Sequence, residues 1–507
     1  MANVKISIEK LIRFGLVNGM IEKWDIQFVR NSIMDILGID EPYEGELEDY
    51  EVEESAVGIL DELLQYAVDN DIIEDSVTYR DMLDARIMAA LMPRPSEVVS
   101  KFYEIVDNEG IEKATDSYYK LSKDSNYIRM DRIAKNDYWL ADTDVGELEI
   151  TINLSKPEKD PKEIEKARSM PSAKYPKCFL CIDNVGYPGR LNHPARNNHR
   201  VIPVELNGEN WYLQYSPYVY YNEHCIVFNE KHVPMKISRD SFVRLLSFVK
   251  KFPHYFVGSN ADLPIVGGSI LSHDHFQGGH HVFPMENAPI IKELRKDKYP
   301  EVKIGIVKWP LSVIRLSSKD MEQLIELADE FLNKWRNYSD ESLDILAYTE
   351  KDGESIPHNT ITPIARINRD GDYELDLVLR NNRRSEEHPD GIFHPHAHLH
   401  HIKKENIGLI EVMGLAVLPA RLKEELALIQ DVLTGKIKSI DSYKELDKHS
   451  EWINKMVREY GTSLNAKEAE EYIKKEVGNI FGDVLKCAGV YKMDERGLAG
   501  MTKFIEA

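Results

Sequence analysis

Ser272-His273-Asp274-His275-Phe276-Gln277-Gly278-Gly279 is the stretch on which the reading of this chain turns. In an extended strand alternate side chains share a face, so His273, His275 and Gln277 look one way while Asp274 and Phe276 look the other. About 6–7 Å then separates the Cα atoms of the two histidines. One imidazole can hold a metal while its neighbour faces a substrate, and the spacing leaves open which does which. A neutral imidazole attacks activated phosphorus, and its charge switches near neutral pH, so the phosphoramidate it forms is also labile. Gly267, Gly268, Gly278 and Gly279 let a phosphate approach backbone N–H groups with no Cβ in the way. Gln277 offers an amide N–H to a developing phosphoryl charge. These features point to phosphorus chemistry with one of the two histidines as nucleophile. The rival reading is a histidine-rich metal strand with no covalent step.

Upstream lies Cys178-Phe179-Leu180-Cys181. Three chemistries suit it: a redox pair, half of a zinc site, or two unrelated buried thiols. No βαβ pattern surrounds it, which weakens the redox reading. Zinc needs four ligands, and His232 and His273 are available downstream to complete a Cys2His2 set. Cys225 and Cys487 bring the total to four cysteines, too few and too dispersed for a disulfide framework, which favours reduced thiols and the cytoplasm. A second histidine cluster, Phe393-His394-Pro395-His396-Ala397-His398-Leu399-His400-His401, loosely follows a histidine-triad spacing in which His398 is the middle residue. It makes His398 a rival nucleophile, with a second metal site, phosphate contacts or structural histidines as the alternatives.

The chain has 507 residues, 42% of them hydrophobic and 30% charged, enough for roughly two to four domains. A formal charge of −22 argues against general nucleic-acid binding, which needs clustered Lys and Arg. Small, phosphate-bearing substrates fit better, since a local pocket can attract anions on an acidic molecule. Glu9, Lys10 and Arg13 interrupt the apolar N-terminal stretch, which argues against a secretory signal, and no window approaches a membrane span.

Residues 1 to about 165 read as helical, from the spacing of Ile21, Trp24, Phe28, Val29, Ile33, Ile36 and Leu37 and of Ala56, Ile59, Leu60, Leu63, Leu64 and Ala67. The acidic run 41–54 between these sets reads as a solvated loop. The charged, proline-punctuated passage 156–177 suggests a boundary near Lys156. Strand-like runs follow at Trp211–Tyr215, Tyr218–Tyr221 and Cys225–Phe228, then a helix over Arg239–Phe252. Thr360–Ile367 and Tyr373–Leu379 flank the turn Asn368-Arg369-Asp370-Gly371-Asp372 as a hairpin. Leu422 to about Phe481 is helical again. Between 178 and 415 the pattern of strands, helix, strands and a histidine-rich segment occurs twice, as two related α+β half-domains would produce.

The ordered series Cys178-x-x-Cys181-x-x-Asn184, His232-Val233-Pro234, Asn260, Gly268, His273-x-His275-x-Gln277, then Trp309-Pro310, His396-Ala397-His398 and Ile410-Glu411-Val412-Met413-Gly414, resembles the galactose-1-phosphate uridylyltransferase family, divergent relatives of the histidine-triad proteins. The likeness spans about 175 to 420, and the helical flanks resemble the divergent bacterial branch. It implies an α+β fold of two histidine-triad-like half-domains with mainly antiparallel sheets, a helical N-terminal extension and C-terminal helices. The expected divisions are 1–165, 166–300, 301–420 and 421–507. It also implies a ping-pong exchange of UMP between UDP-glucose and galactose 1-phosphate through a uridylyl-histidine on His275, with Gln277 assisting. Substrate contacts are implied at Asn260, Gln277, His396 and His398, structural zinc at Cys178, Cys181, His232 and His273, and a homodimer with no nucleic-acid or membrane partner. Asp274 and Phe276 stand where the better-known branch has proline and glycine, so the local packing must differ. A nucleotide phosphorylase or adenylyltransferase of the same superfamily, or a zinc-stabilised binding module without catalysis, are the alternatives. A mere binder needs neither His275 nor Gln277.

Overall fold

A ten-stranded sheet organises the centre of the molecule. The computed structural model describes every residue except Met1, Glu46, Glu48, Asp49, 156–164, 166–168, 171–172 and Ser269. The boundary expected near Lys156 therefore lies outside the described residues.

The expected helical third holds as far as Ile133. Helices Ala2–Val17, Ile26–Leu37, Val57–Asp69 and Val77–Ala89 enclose a core of their own, including Leu11, Phe14, Ile33, Leu37 and Leu63. All six apolar positions named between Ala56 and Ala67 are buried. In the earlier set the stripe is narrower than expected: Val29, Ile33 and Leu37 point inward at helical spacing, whereas Trp24 is 88% and Phe28 69% exposed. Helices Pro95–Glu109 and Ile111–Asp124 then dock on the sheet edge, where the Tyr103 hydroxyl donates to Pro203 O at 2.5 Å and Tyr118 to Arg200 O at 2.6 Å.

From Asp137 the helical expectation fails. Strands β1 (Asp137–Thr143) and β2 (Gly146–Ile152) form an antiparallel hairpin, and β15 (Leu415–Leu418) joins β2 in parallel. The period-2 signal was present in Leu148, Ile150 and Ile152, all buried, and Gly146 at φ 113° permits the tight turn. Helix Ala466–Ala488 packs across this small sheet.

The large sheet contains two halves of one plan. In the first, β3 (Ile202–Leu206), β4 (Glu209–Tyr215) and β5 (Cys225–Asn229) form a meander; helix Arg239–Lys251 leads to β6 (Phe256–Gly258), and β7 (His275–Gly279) inserts between β5 and β6. In the second, β8 (Ile290–Leu294), β9 (Lys303–Val307) and β10 (Val313–Ser318) form the meander. Helix Met321–Arg336 leads on, past the small hairpin of β11 (Tyr348–Lys351) and β12 (Glu354–Pro357), to β13 (Asn359–Ile367), and β14 (Tyr373–Asn381) inserts between β10 and β13. Every pairing in this sheet is antiparallel, and the halves meet where β6 lies against β13. The internal echo is thus a repeated topology. Its histidine part is not repeated: β7 carries His275, whereas β14, in the matching place, carries no histidine, and the segment 394–401 follows it as loop and a short 3-10 turn. Tyr218–Tyr221, expected as a strand, lies in the connection between β4 and β5.

Alternation along β7 separates its two faces. Phe276 stacks on Trp211 at 4.8 Å between ring centroids and joins the core with Leu213, Val227, Phe242 and Leu245. His275 and Gln277 face the opposite side, where Leu180, Val201 and Phe228 form a small cluster beneath the loops. No helix among the described residues is long and apolar enough to cross a membrane. Because Trp211 is wholly buried against Phe276, Trp211→Ala is expected to cost roughly 3–5 kcal/mol of folding stability in chemical denaturation.

Candidate active site and metal centre

Four candidate ligands of two types converge from three separate segments. Cys178 and Cys181 sit on a turn closed by Cys181 N–H to Cys178 O, His232 follows β5, and His273 precedes β7. Cys178 Sγ lies 3.5 Å from Cys181 Sγ and 3.2 Å from His273 Nδ1, and Cys181 Sγ lies 3.2 Å from His232 Nδ1 and 3.7 Å from His273 Nδ1. A tetrahedral ion with bonds of ~2.3 Å to sulfur and ~2.0 Å to nitrogen sets its ligand atoms about 3.3–3.8 Å apart, so the cluster fits such an ion. His273 Nε2 donates to Asn229 O at 2.8 Å, which leaves Nδ1 as the lone pair facing the sulfurs. Burial pushes the Cys181 thiol up to about 11 when no cation is present; an ion within the set reverses that by stabilising the thiolate.

Asn184, the last residue of the CxxCxxN series, fastens this turn. Its Nδ2 donates to both Cys178 O and Cys181 O at 2.8 Å, and its Oδ1 receives His193 Nε2 at 2.7 Å. His193 belongs to no motif in the sequence. Its partner is set by the fold of the loop 185–192, and spacing carries no trace of that.

His275 opens β7 with 6% exposure. Its Nδ1 lies 2.8 Å from His273 O, and since a carbonyl only accepts, Nδ1 carries the proton and Nε2 the lone pair. Burial lowers its pKa to about 4, which holds the ring neutral at physiological pH. Asp274, between the two histidines, points to the other face, 3.7 Å from Arg244, with burial raising its carboxyl to about 6. Its backbone does more. Asp274 N–H donates to Val233 O at 2.7 Å and its carbonyl accepts from Asn229 N–H at 3.0 Å, binding the strand start to the segment that bears His232. A proline here has no such N–H. Phe276, the other departure from the better-known branch, is the residue that stacks on Trp211.

Gln277 is half-buried and pairs across to Ile226 of β5 and Gly258 of β6. Asn260 follows β6, and its Oδ1 accepts from Leu409 N–H at 3.0 Å, tying the first half to the second. The glycines do not leave open space for a phosphate as expected. A Cβ on Gly268 would meet Asn260 Nδ2 at 2.7 Å, one on Gly267 would meet Ala261 O at 2.4 Å, and one on Gly278 would meet Phe256 O at 2.6 Å. The chain itself makes the close approach.

The histidines of the second cluster turn to different partners, although the rings of His396 and His398 meet edge to face at 6.4 Å between centroids. His396 Nε2 meets Ile392 O at 3.1 Å and its ring stacks on His388 at 4.1 Å; His400 Nε2 meets Pro395 O at 2.8 Å; His401 Nδ1 meets His449 Nδ1 at 2.9 Å. His398 is exposed. Among the described residues, the metal-compatible cluster is the CxxC set alone, and the partners of His396 and His398 are not those of His275.

A doubled antiparallel plan with a neutral histidine on one inner strand defines a histidine-triad-like α+β protein. Comparison with known proteins narrows this. Residues 19–234 match the family model for the galactose-1-phosphate uridyl transferase N-terminal domain and residues 248–452 that for its C-terminal domain. The chain is 62% identical over 503 residues to a galactose-1-phosphate uridylyltransferase of Caldanaerobacter subterraneus subsp. tengcongensis, covering 98% of this chain and 97% of that protein. It is 54% identical to one from Clostridium acetobutylicum, covering 98% of each, and 49% identical to one from Bacillus subtilis, covering 98% and 96%. The chain belongs to the galactose-1-phosphate uridyl transferase family.

The Asp274 backbone bond yields a direct test. Asp274→Pro is expected to weaken metal retention against a competing chelator by about 10- to 100-fold, and Asp274→Asn to leave it close to wild type, by metal analysis after dialysis. Equal retention in both variants defeats the account.

Proposed function

We propose that the protein exchanges a uridylyl group between UDP-glucose and galactose 1-phosphate, with His275 as the nucleophile. The observation that carries this reading is the tautomer of His275: Nδ1–H is held by His273 O at 2.8 Å, which leaves a bare lone pair on Nε2 of a ring that burial keeps neutral. In the first half-reaction Nε2 attacks the α-phosphorus of UDP-glucose. The N–P bond forms as the bond from that phosphorus to the glucose 1-phosphate oxygen breaks, and the leaving group departs with the electron pair. The ring gains positive charge as it does so, and the His273 carbonyl, already bonded to Nδ1–H, stabilises it. Gln277, on the same face of β7, donates an amide N–H to a non-bridging oxygen. In the second half-reaction a phosphate oxygen of galactose 1-phosphate attacks the same phosphorus, the N–P bond breaks, and the neutral imidazole returns. Asn260, through the amide nitrogen that Leu409 does not engage, and His396 and His398 are the further substrate contacts of this reading.

Zinc is the ion we assign to Cys178, Cys181, His232 and His273. The soft, tetrahedral Cys2His2 donor set favours it. All four positions are filled by protein, so the ion supports structure, and its effect reaches His275 through the His273 backbone.

Mass spectrometry of the enzyme after UDP-glucose alone is expected to find a uridylyl adduct on the peptide bearing His275, and none after ATP alone. An adenylyl adduct from ATP would instead indicate a phosphorylase or adenylyltransferase. His275→Gly is expected to abolish transfer with the fold intact by circular dichroism; activity lost in His398→Gly and kept in His275→Gly overturns the assignment. Elemental analysis is expected to give about one equivalent of zinc, absent from the Cys178→Ser, Cys181→Ser double variant. A fully active zinc-free wild type refutes the structural ion.

A further inference from the structure

His224 stands directly before β5 and is 3% exposed. In the ladder between β5 and β7, Ile226 pairs with Gln277 and Phe228 with His275, so His224, two residues before Ile226, is the diagonal neighbour of Gln277 on the same face. The ring packs against Tyr221 at 4.5 Å and Tyr220 at 5.7 Å between centroids. Its Nδ1 lies 2.8 Å from Tyr218 O, which can only accept, so Nδ1 carries the proton. Nε2 is left as a buried lone pair with no hydrogen bond of normal geometry closed on it, and the polar group it faces is the Gln277 side chain. Burial lowers the His224 pKa to about 4, so the ring stays neutral and Nε2 stays an acceptor.

A primary amide can be turned either way about its last torsion. With its carbonyl toward His224, two lone pairs oppose each other at a ring that is itself buried from solvent. With its NH2 group toward His224, one N–H is accepted by Nε2, and the second is free for an anionic oxygen. Leaving a buried acceptor unpaired is costly, so the second orientation prevails.

We propose that His224 is a positioning residue for Gln277: its Nε2 accepts one amide N–H and holds the other toward the phosphate. The loop between β4 and β5, with Tyr218, Tyr220 and Tyr221, is on this account the mount that keeps His224 in register. The proposal rests on the reading above that Gln277 assists the transfer.

The test is a double-mutant cycle on the full-length enzyme, following the first half-reaction with UDP-glucose. Gln277→Ala and His224→Leu are each expected to lower kcat at least tenfold with KM changed less than threefold. Combined, they are expected to act no more strongly than Gln277→Ala alone. His224→Gln, whose carbonyl can accept from Gln277 while its amide donates to Tyr218 O, is expected to restore most of the rate. Full activity in Gln277→Ala overturns the role of Gln277 and this proposal with it. A slow Gln277→Ala beside an unaffected His224→Leu, independent losses in the two backgrounds, or no rescue by His224→Gln overturns the proposal alone. A further measurement does not depend on how His224→Leu folds. With 15N-labelled histidine, the His224 signals, assigned by their loss in His224→Gln, are expected to report an Nδ1-protonated ring whose Nε2 resonance moves in Gln277→Ala. An Nε2-protonated ring or an unmoved resonance overturns it.

Discussion

His273 is bound in three directions at once, and the site depends on that. Its Nδ1 faces Cys178 Sγ at 3.2 Å, its Nε2 donates to Asn229 O at 2.8 Å, and its carbonyl accepts from His275 Nδ1 at 2.8 Å. The first two contacts fix where the residue stands; the third passes that position to the neighbouring imidazole and selects its tautomer. A change that loosens the Cys/His cluster therefore shifts the ring position and the tautomer of His275 without touching it. The Asn184 amide, bonded to the carbonyls of both cysteines, and the Asp274 backbone, bonded to Asn229 and Val233, extend the same support outward. Ring orientation at a buried histidine is set by such outer contacts as much as by the residue itself.

What could be read from the residues follows from where the information lies. The cluster of Cys178, Cys181, His232 and His273 was legible because ligand chemistry demands particular side chains, and their order along the chain survives folding. The hairpin from β13 to β14 was legible because its turn needs Asn, Asp and Gly at particular positions. The Asp274 bond to Val233 was not, since every residue but proline offers the same N–H. Tyr218–Tyr221 reads as a strand because aromatic residues favour sheets, yet β-propensity only describes a surface that fits a neighbouring strand, and here no strand lies beside it. His224 is inconspicuous in the sequence for a related reason. A single histidine at the end of a loop looks like any other until the register of β5 against β7 puts it diagonal to Gln277.

The second half shows how a repeated plan diverges. On β14 the inward positions include Glu374 and Asp376, and these pair with Arg315 and Arg366: Arg315 Nε lies 2.7 Å from Asp376 Oδ1, and Arg366 Nη2 lies 2.5 Å from Asp376 Oδ2. Asp376 is held below the usual carboxylate range by these two guanidiniums, against its burial. Removing one partner of such a network leaves a buried charge uncompensated, so the network is structurally committed. The strand that matches β7 has thus become part of the scaffold. The histidines beyond it are spread over a turn, where they engage Ile392, His388, Pro395 and His449, and the rings of His396 and His398 meet edge to face.

The two halves share a short seam. β6 meets β13 at two residue pairs, Gly258 with Ile364 and Val257 with Ala365, reinforced by Ser259 N–H to Pro363 O at 2.9 Å and, just beyond, by Leu409 N–H to Asn260 at 3.0 Å. Each half taken alone would end in a bare inner strand whose backbone groups would seek any other chain to pair with. Each half therefore caps the open edge of the other: the two can differ in the side chains they carry as long as the strands at the seam keep their pairing.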